Sequence, residues 1–243
     1  MRIIIVENKE KVSLEAYNIV KNIITKNNQA VLGLATGSTP VGLYKLLIDS
    51  FKKKELSFKD VTTCNLDEYV GLNRDHPQCY YYFMKEHLFD HIDINLENTF
   101  IPNGMAEDLE QECKHYEDVL NQHQVDVQIL GVGSNGHIGF NEPMTPFDSI
   151  THVIELEQQT REDNARFFDS IEEVPTHAIT MGISSILRAK KIVLMATSES
   201  KALAIQRMIE GPIDPNCPAS ILQTHPDVVV IVDKDAAGKL GHE

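Results

Sequence analysis

An α/β fold is the expectation from the sequence: a doubly wound, mostly parallel sheet with helices on both faces. Two observations carry it. Short β-branched runs alternate with longer amphipathic stretches from one end of the 243 residues to the other, the pattern of strands joined by crossover helices. No repeat, low-complexity segment or Gly/Ser-rich linker interrupts that alternation, so residues 1–243 read as one domain. In chain order the strand candidates are 3–6, 31–34, 61–66, 99–101, 127–130, 152–156, 177–180, 192–196 and 228–232. Between most of them lie stretches with helical spacing of apolar residues, at 12–25, 43–51, 80–89, 109–120, 183–187 and 201–209. The opening run Met1-Arg2-Ile3-Ile4-Ile5-Val6-Glu7 is strand-like and unlike a signal peptide. Pro40 suits the first turn of the helix after 31–34, where its missing N–H costs nothing, and Thr39 suits the N-cap.

A hydrophobic content of 42% and a charged content of 24% are ordinary for a soluble globular protein. The formal net charge of −14 argues against nucleic acid or an anionic membrane as partner, since both recruit basic surfaces. An anionic substrate would therefore need a locally basic pocket. Cys64, Cys79, Cys113 and Cys217 are widely spaced and form no C-x-x-C pair, so reduced thiols in a cytoplasmic protein are expected. No apolar stretch approaches the ~20 residues of a membrane span.

In a sheet of this kind ligands sit beyond the carboxyl ends of the strands, and three such loops carry unusual chemistry. After 127–130 comes Gly131-Val132-Gly133-Ser134-Asn135-Gly136-His137-Ile138-Gly139-Phe140-Asn141-Glu142-Pro143, with four glycines in nine residues and His137 five residues before Glu142. Glycine lets the backbone approach a ligand closely, and an imidazole beside a carboxylate suits proton transfer at neutral pH. Gly131, Gly133 and Gly136 also fit G-x-G-x-x-G, but Pro143 and Pro146 interrupt the helix that a dinucleotide site requires. No nucleotide cofactor is expected. A glycine-rich turn with an incidental histidine would look the same in isolation.

After 31–34, Ala35-Thr36-Gly37-Ser38-Thr39-Pro40 offers N–H groups, hydroxyls and the positive end of a helix dipole. That is a ready anion site, or equally an ordinary capped turn. Lys201 falls in the first turn of the helix after 192–196, where a cation is disfavoured unless an anion binds with it. An exposed lysine without a role fits the same position, and Arg166 is a weaker candidate for an anion contact. Asn65-Leu66-Asp67-Glu68-Tyr69-Val70-Gly71 sets two acids at a third strand end, where an Asp is commonly a turn or cap residue. The coincidence of the three loops favours a site. Asp67, His137 and Glu142, with an anion cradle, suit proton transfer on a phosphorylated small molecule.

Four motifs, in this order, resemble the glucosamine-6-phosphate deaminase family: Gly37-Ser38-Thr39-Pro40, the run from Asn65 to Gly71, the run from Gly136 to Pro143, and Ser200-Lys201-Ala202-Leu203-Ala204. The resemblance extends from the first strand to about Val232. It implies a Rossmann-like fold and conversion of glucosamine 6-phosphate and water to fructose 6-phosphate and ammonia, with no cofactor and no metal. It implies that Asp67 takes the C2 proton and returns it at C1, that His137 shuttles the ring-opening proton, and that Glu142 orients and charges the imidazole. Gly37, Ser38, Thr39, Arg166 and Lys201 would hold the phosphate. The stretch around 156–178, with Arg161 and Arg166, would be the family's mobile lid.

Well-known members carry aspartate two residues before the histidine. Asn135 here can accept a hydrogen bond but supplies no charge, so the histidine would depend more on Glu142. A 6-phosphogluconolactonase would share the cradle and the histidine loop, and related domains serve as non-enzymatic sugar-phosphate sensors. The retained Asp67-Glu68-Tyr69 and Phe140-Asn141-Glu142-Pro143 favour the deaminase. Regulated members place basic side chains just after the Phe-Asn-Glu-Pro motif, whereas 143–160 here contains no Lys or Arg. The expectation is hyperbolic kinetics without activation by N-acetylglucosamine 6-phosphate, from a monomer or small homo-oligomer.

Overall fold

The chain is described by a computed structural model that covers residues 1–156, 158, 161–162, 165 and 168–241. Its strands are β1 Arg2–Val6, β2 Val31–Leu34, β3 Thr62–Asn65, β4 Asp67–Tyr69, β5 Thr99–Phe100, β6 Val127–Leu130, β7 His152–Glu155, β8 His177–Thr180, β9 Ile192–Ala196 and β10 Val228–Asp233. Helices among the described residues are α1 Lys9–Lys26, α2 Val41–Lys52, α3 Tyr80–His87, α4 Leu109–Gln122, α5 Ile183–Leu187 and α6 Ala202–Glu210. Seven strands pair in parallel in the order β1-β10-β9-β6-β2-β3-β5. From β2 the chain runs outward through β3 to β5, and from β6 through β9 to β10 on the other side. The direction reverses between β2 and β6, which is where doubly wound sheets open a crevice.

Alternate residues of the central strands feed two separate cores. In β10, Val228, Val230 and Val232 join one cluster while Val229 and Ile231 join the other. β9 does the same, with Ile192 and Leu194 on one face and Val193 and Met195 on the opposite one. One core is closed by α1 and α2, whose Val12, Ala16, Val20 and Ile24 and whose Leu43, Tyr44 and Leu47 make the stripes seen in the sequence. The opposite core is closed by α4 and α6 through Tyr116, Val119, Leu120, Ile205 and Met208. No helix among the described residues is long and apolar enough to cross a membrane.

Side chains cap three of these six helices. Asn8 accepts from Lys11 N at 3.0 Å to open α1, and Asp108 accepts from Gln111 N at 2.9 Å to open α4. At α2 the start differs by one residue: Pro40, not Thr39, holds the cap position, and it has no side-chain cap.

The alternation did not foretell the second sheet. β4, β8 and β7 pair antiparallel in that order, with Asp67 opposite Thr180 and Thr180 opposite His152. Asp67 therefore sits in a strand, not a loop. Leu66 alone separates β3 from β4. Its N–H donates to Leu34 O (3.1 Å), while its carbonyl accepts from Met181 N (2.7 Å), so one residue ties the two sheets together. A three-residue strand leaves almost no periodic signal. Tyr69, Phe140, Leu156 and Ala178 form a small third core against this sheet.

Candidate active site

The loops after β2, β3, β6 and β9, four adjacent strands, surround a cavity of about 290 Å³ at the carboxyl edge of the sheet. Thr36, Gly37, Thr39, Asp67, His137 and Lys201 line it. Gly37 has φ +85°, a conformation that residues with a side chain rarely adopt, even though a Cβ there would meet nothing within 4 Å. The backbone reversal at Gly37 separates its neighbours. Thr36 and Thr39 face this cavity, whereas Ser38 lines the adjacent one with Tyr69, Phe83 and Phe168. Ser38 thus lines the neighbouring cavity, and Thr36, not singled out in the sequence, lines this one.

Asp67 is only 7% exposed. Burial, reinforced by the neighbouring Glu68, pushes its carboxyl up to about 8. Glu68 is not a second acid facing the cavity. Its carboxylate accepts from Tyr69 N (2.8 Å), Tyr80 N (2.9 Å) and Tyr81 N (3.0 Å), capping the first turn of α3 from β4. Burial raises Glu68 to about 7 while those three N–H groups pull the other way. The sequence carries a trace of this role, a glutamate twelve residues before a helix start. Only the folded register brings the two together.

The histidine loop is held by close packing. Gly133 N donates to His137 O (2.9 Å), and Ala219 N to Gly136 O (2.9 Å). A Cβ on Gly133 would lie 2.2 Å from His137 Cε1 and Nδ1, and Gly136 has φ +88°. Phe140 N donates to Thr180 Oγ1 (3.2 Å), which seats the loop on β8 directly across from Asp67. At Gly139 a Cβ would stand 3.7 Å from Asp67 Oδ2.

Asn135 stands between the histidine and the glutamate. Its Nδ2 donates to Glu142 Oε2 at 2.7 Å, and its Oδ1 lies 2.8 Å from His137 Nδ1. Glu142 Oε2 itself is 3.5 Å from His137 Nδ1. A carboxylate oxygen can only accept, so the amide must turn its NH2 to Glu142 and its carbonyl to the ring. The proton then resides on Nδ1, which leaves Nε2 with a lone pair. Asn135 thus bridges the ring and the carboxylate, and Glu142, on which the histidine was expected to depend more, lies just beyond hydrogen-bond distance of the same nitrogen. That bridging contact was not legible from the substitution of one residue type for another.

Lys201 follows β9 in a short turn and lines the same cavity. Arg166 lies outside the described residues. Arg161 does not face the cavity; its Nη2 donates to Ile171 O (3.1 Å) and Val174 O (3.2 Å) within the stretch read as a lid. Tyr80 and Ser134 also line the cavity and were not singled out by their sequence context.

A cavity at the switch point of this sheet, lined by an acid, an imidazole, a lysine and a helix-opening turn, suits proton transfer on an anionic small molecule. The chain belongs to the glucosamine-6-phosphate isomerase/6-phosphogluconolactonase family, whose profile matches residues 7–231. Within it, the chain is 54% identical over 241 residues, 99% of both chains, to the glucosamine-6-phosphate deaminase of Clostridium botulinum (strain Loch Maree / Type A3). A solved monomeric glucosamine-6-phosphate deaminase superposes with a TM-score of 0.95 at 47% identity, over 98% of this chain and 99% of that one. The 6-phosphogluconolactonase from Trypanosoma brucei has a TM-score of 0.79 at 18% identity over 99% of this chain and 98% of its own, a likeness of fold alone.

Proposed function

We propose that this protein is a glucosamine-6-phosphate deaminase, which converts glucosamine 6-phosphate and water to fructose 6-phosphate and ammonia. Identity above one half along the whole chain supports the reaction. The observation that carries the mechanism is a buried carboxylate, Asp67, sharing one small cavity with an imidazole whose Nδ1 is engaged by Asn135. The phosphate is held by the loop of Gly37 and Thr39 at the start of α2 and by Lys201, with Arg166 as a further contact. His137 Nε2 takes the proton of the C1 hydroxyl and delivers it to the ring oxygen as the C1–O5 bond breaks. Glu142, through Asn135, keeps the ring in that tautomer.

Asp67 then removes the C2 proton of the open-chain aldehyde. The electron pair moves into a C1–C2 double bond as a proton of the substrate ammonium passes to the C1 oxygen, giving an enolamine. Return of the proton from Asp67 to C1 leaves an iminium ion at C2. Water adds there and ammonia departs, leaving the ketone. A base must be ionised to act, and burial makes Asp67 a stronger base once it is.

Two assays test the reading. Ammonia should be released from glucosamine 6-phosphate, and 6-phosphogluconolactone should be hydrolysed no faster than in buffer. Lactone hydrolysis without ammonia release would replace the deaminase by the lactonase.

A further inference from the structure

Asp233, the last residue of β10, is buried, 7% exposed, and does not line the cavity. Its carboxylate is aimed at the turn that follows β9. Ser198 N donates to Oδ1 (3.1 Å) and Oδ2 (3.2 Å), and Ala236 N donates to Oδ1 (2.8 Å). The last register pair of these parallel strands is Val232 with Ala196, so the carboxylate holds the turn just past the point where ladder bonds stop.

Ser198 needs holding. Its φ is +81° and its ψ 153°, a conformation that residues with a side chain rarely adopt and that persists only where the surroundings impose it. From that turn the Ser198 carbonyl accepts from Lys201 N at 3.2 Å, so the same strained residue sets where the lysine leaves the backbone. Two carboxylate oxygens on one N–H make a charge-assisted clamp stronger than a neutral acceptor would.

We infer that Asp233 is a positioning residue for the phosphate site: its carboxylate locks Ser198 in the left-handed turn that presents Lys201 to the cavity. The inference rests on the proposed phosphate role of Lys201. It adds that the affinity is set from the end of β10, by pre-organisation rather than contact.

Inorganic phosphate as a competitive inhibitor, with the KM and kcat for glucosamine 6-phosphate, provides the test. Lys201→Ala should weaken phosphate by roughly 10-fold or more, the scale of one hydrogen bond to a charged group. Asp233→Ala should weaken it by a smaller factor, roughly 3- to 10-fold on the same scale, and raise KM while leaving kcat within about twofold. Adding Ser198→Gly to Asp233→Ala should recover much of the loss, because glycine takes a positive φ without the clamp. Asp233→Asn, which keeps the packing and one acceptor, should show a partial loss and serves if the alanine variant does not fold.

Wild-type phosphate affinity in Asp233→Ala or Asp233→Asn, beside a clear loss in Lys201→Ala, would overturn the inference alone. So would a double variant no better than Asp233→Ala, since the clamp would then not act through Ser198. Unchanged affinity in Lys201→Ala would overturn the phosphate reading itself, and the inference with it.

Discussion

At the residue scale the fold holds Asp67 in a place hostile to its charge. Burial and Glu68 lift the carboxyl from 3.8 to about 8. Between those values the folded protein keeps a proton that the unfolded chain releases, so this group makes stability fall as pH rises from about 4 to about 8. Asp67→Asn removes that dependence. Its melting temperature should exceed that of the unsubstituted protein at pH 8, and the gap should narrow as pH falls to 5. Activity should run the opposite way. The kcat of Asp67→Asn should drop by at least ~10²-fold, the scale of a lost general base, while kcat/KM of the unsubstituted enzyme rises with pH towards a plateau above about 8. A melting-temperature difference independent of pH, or near-normal turnover in the variant, would remove Asp67 from this role.

At the scale of elements, what matters is how strands and loops aim these side chains. The glycine-rich loop is one case. Gly133 was legible in the sequence as a tight turn, but its reason is the ring of His137, which occupies the space a Cβ would need. His137 is 29% exposed in its side chain and can swing outward. Gly133→Ala should therefore cost little stability, within about 1 kcal/mol by thermal unfolding, yet lower kcat by ~10²-fold or more as the imidazole leaves Asn135. A stable variant with normal kcat would show that the ring position is not required.

A second case is the buried carboxylate of Glu117 on α4. It accepts from Thr151 N (2.9 Å), Thr151 Oγ1 (2.6 Å), Ser185 Oγ (2.5 Å) and Arg188 Nη2 (2.5 Å), fastening the small sheet and α5 to the main body. Burial raises its carboxyl, but these bonds outweigh it and the net direction is down. The contribution is therefore present above the unfolded value and is lost as pH falls through the folded one. Glu117→Ala should destabilise by about 2–3 kcal/mol, the scale for orphaned buried donors, and the difference in melting temperature should shrink on acidification. No sequence signal pointed to this network, because its partners are 34, 68 and 71 residues away.

At the scale of the whole molecule, the sheet order gathers the loops after residues 34, 130 and 196 and the start of β4 at one edge, where they line one cavity. The expectation of an unregulated enzyme, drawn from the absence of Lys and Arg at 143–160, is open to direct test. Initial rates should be hyperbolic in glucosamine 6-phosphate and unaffected by N-acetylglucosamine 6-phosphate, and sedimentation should give one protomer or a small oligomer. Sigmoidal rates that the effector makes hyperbolic would overturn this.

The sequence by itself determined the parallel sheet, its covering helices and the loops that matter, because these depend on local periodicity and on glycine, proline and capping chemistry within a few residues. Strands 127–130 and 192–196 coincide with β6 and β9, and the loop bearing His137 follows where it was read. Only the tertiary structure decided that Asp67 belongs to a second sheet, that Ser38 lines a neighbouring cavity, that Glu68 caps α3, and that Asn135 stands between His137 and Glu142. Each of those depends on a register, a backbone reversal or a contact between distant segments. Burial of Asp67 is likewise a property of what packs around it, so its raised pKa could not be read from the residues beside it in the chain.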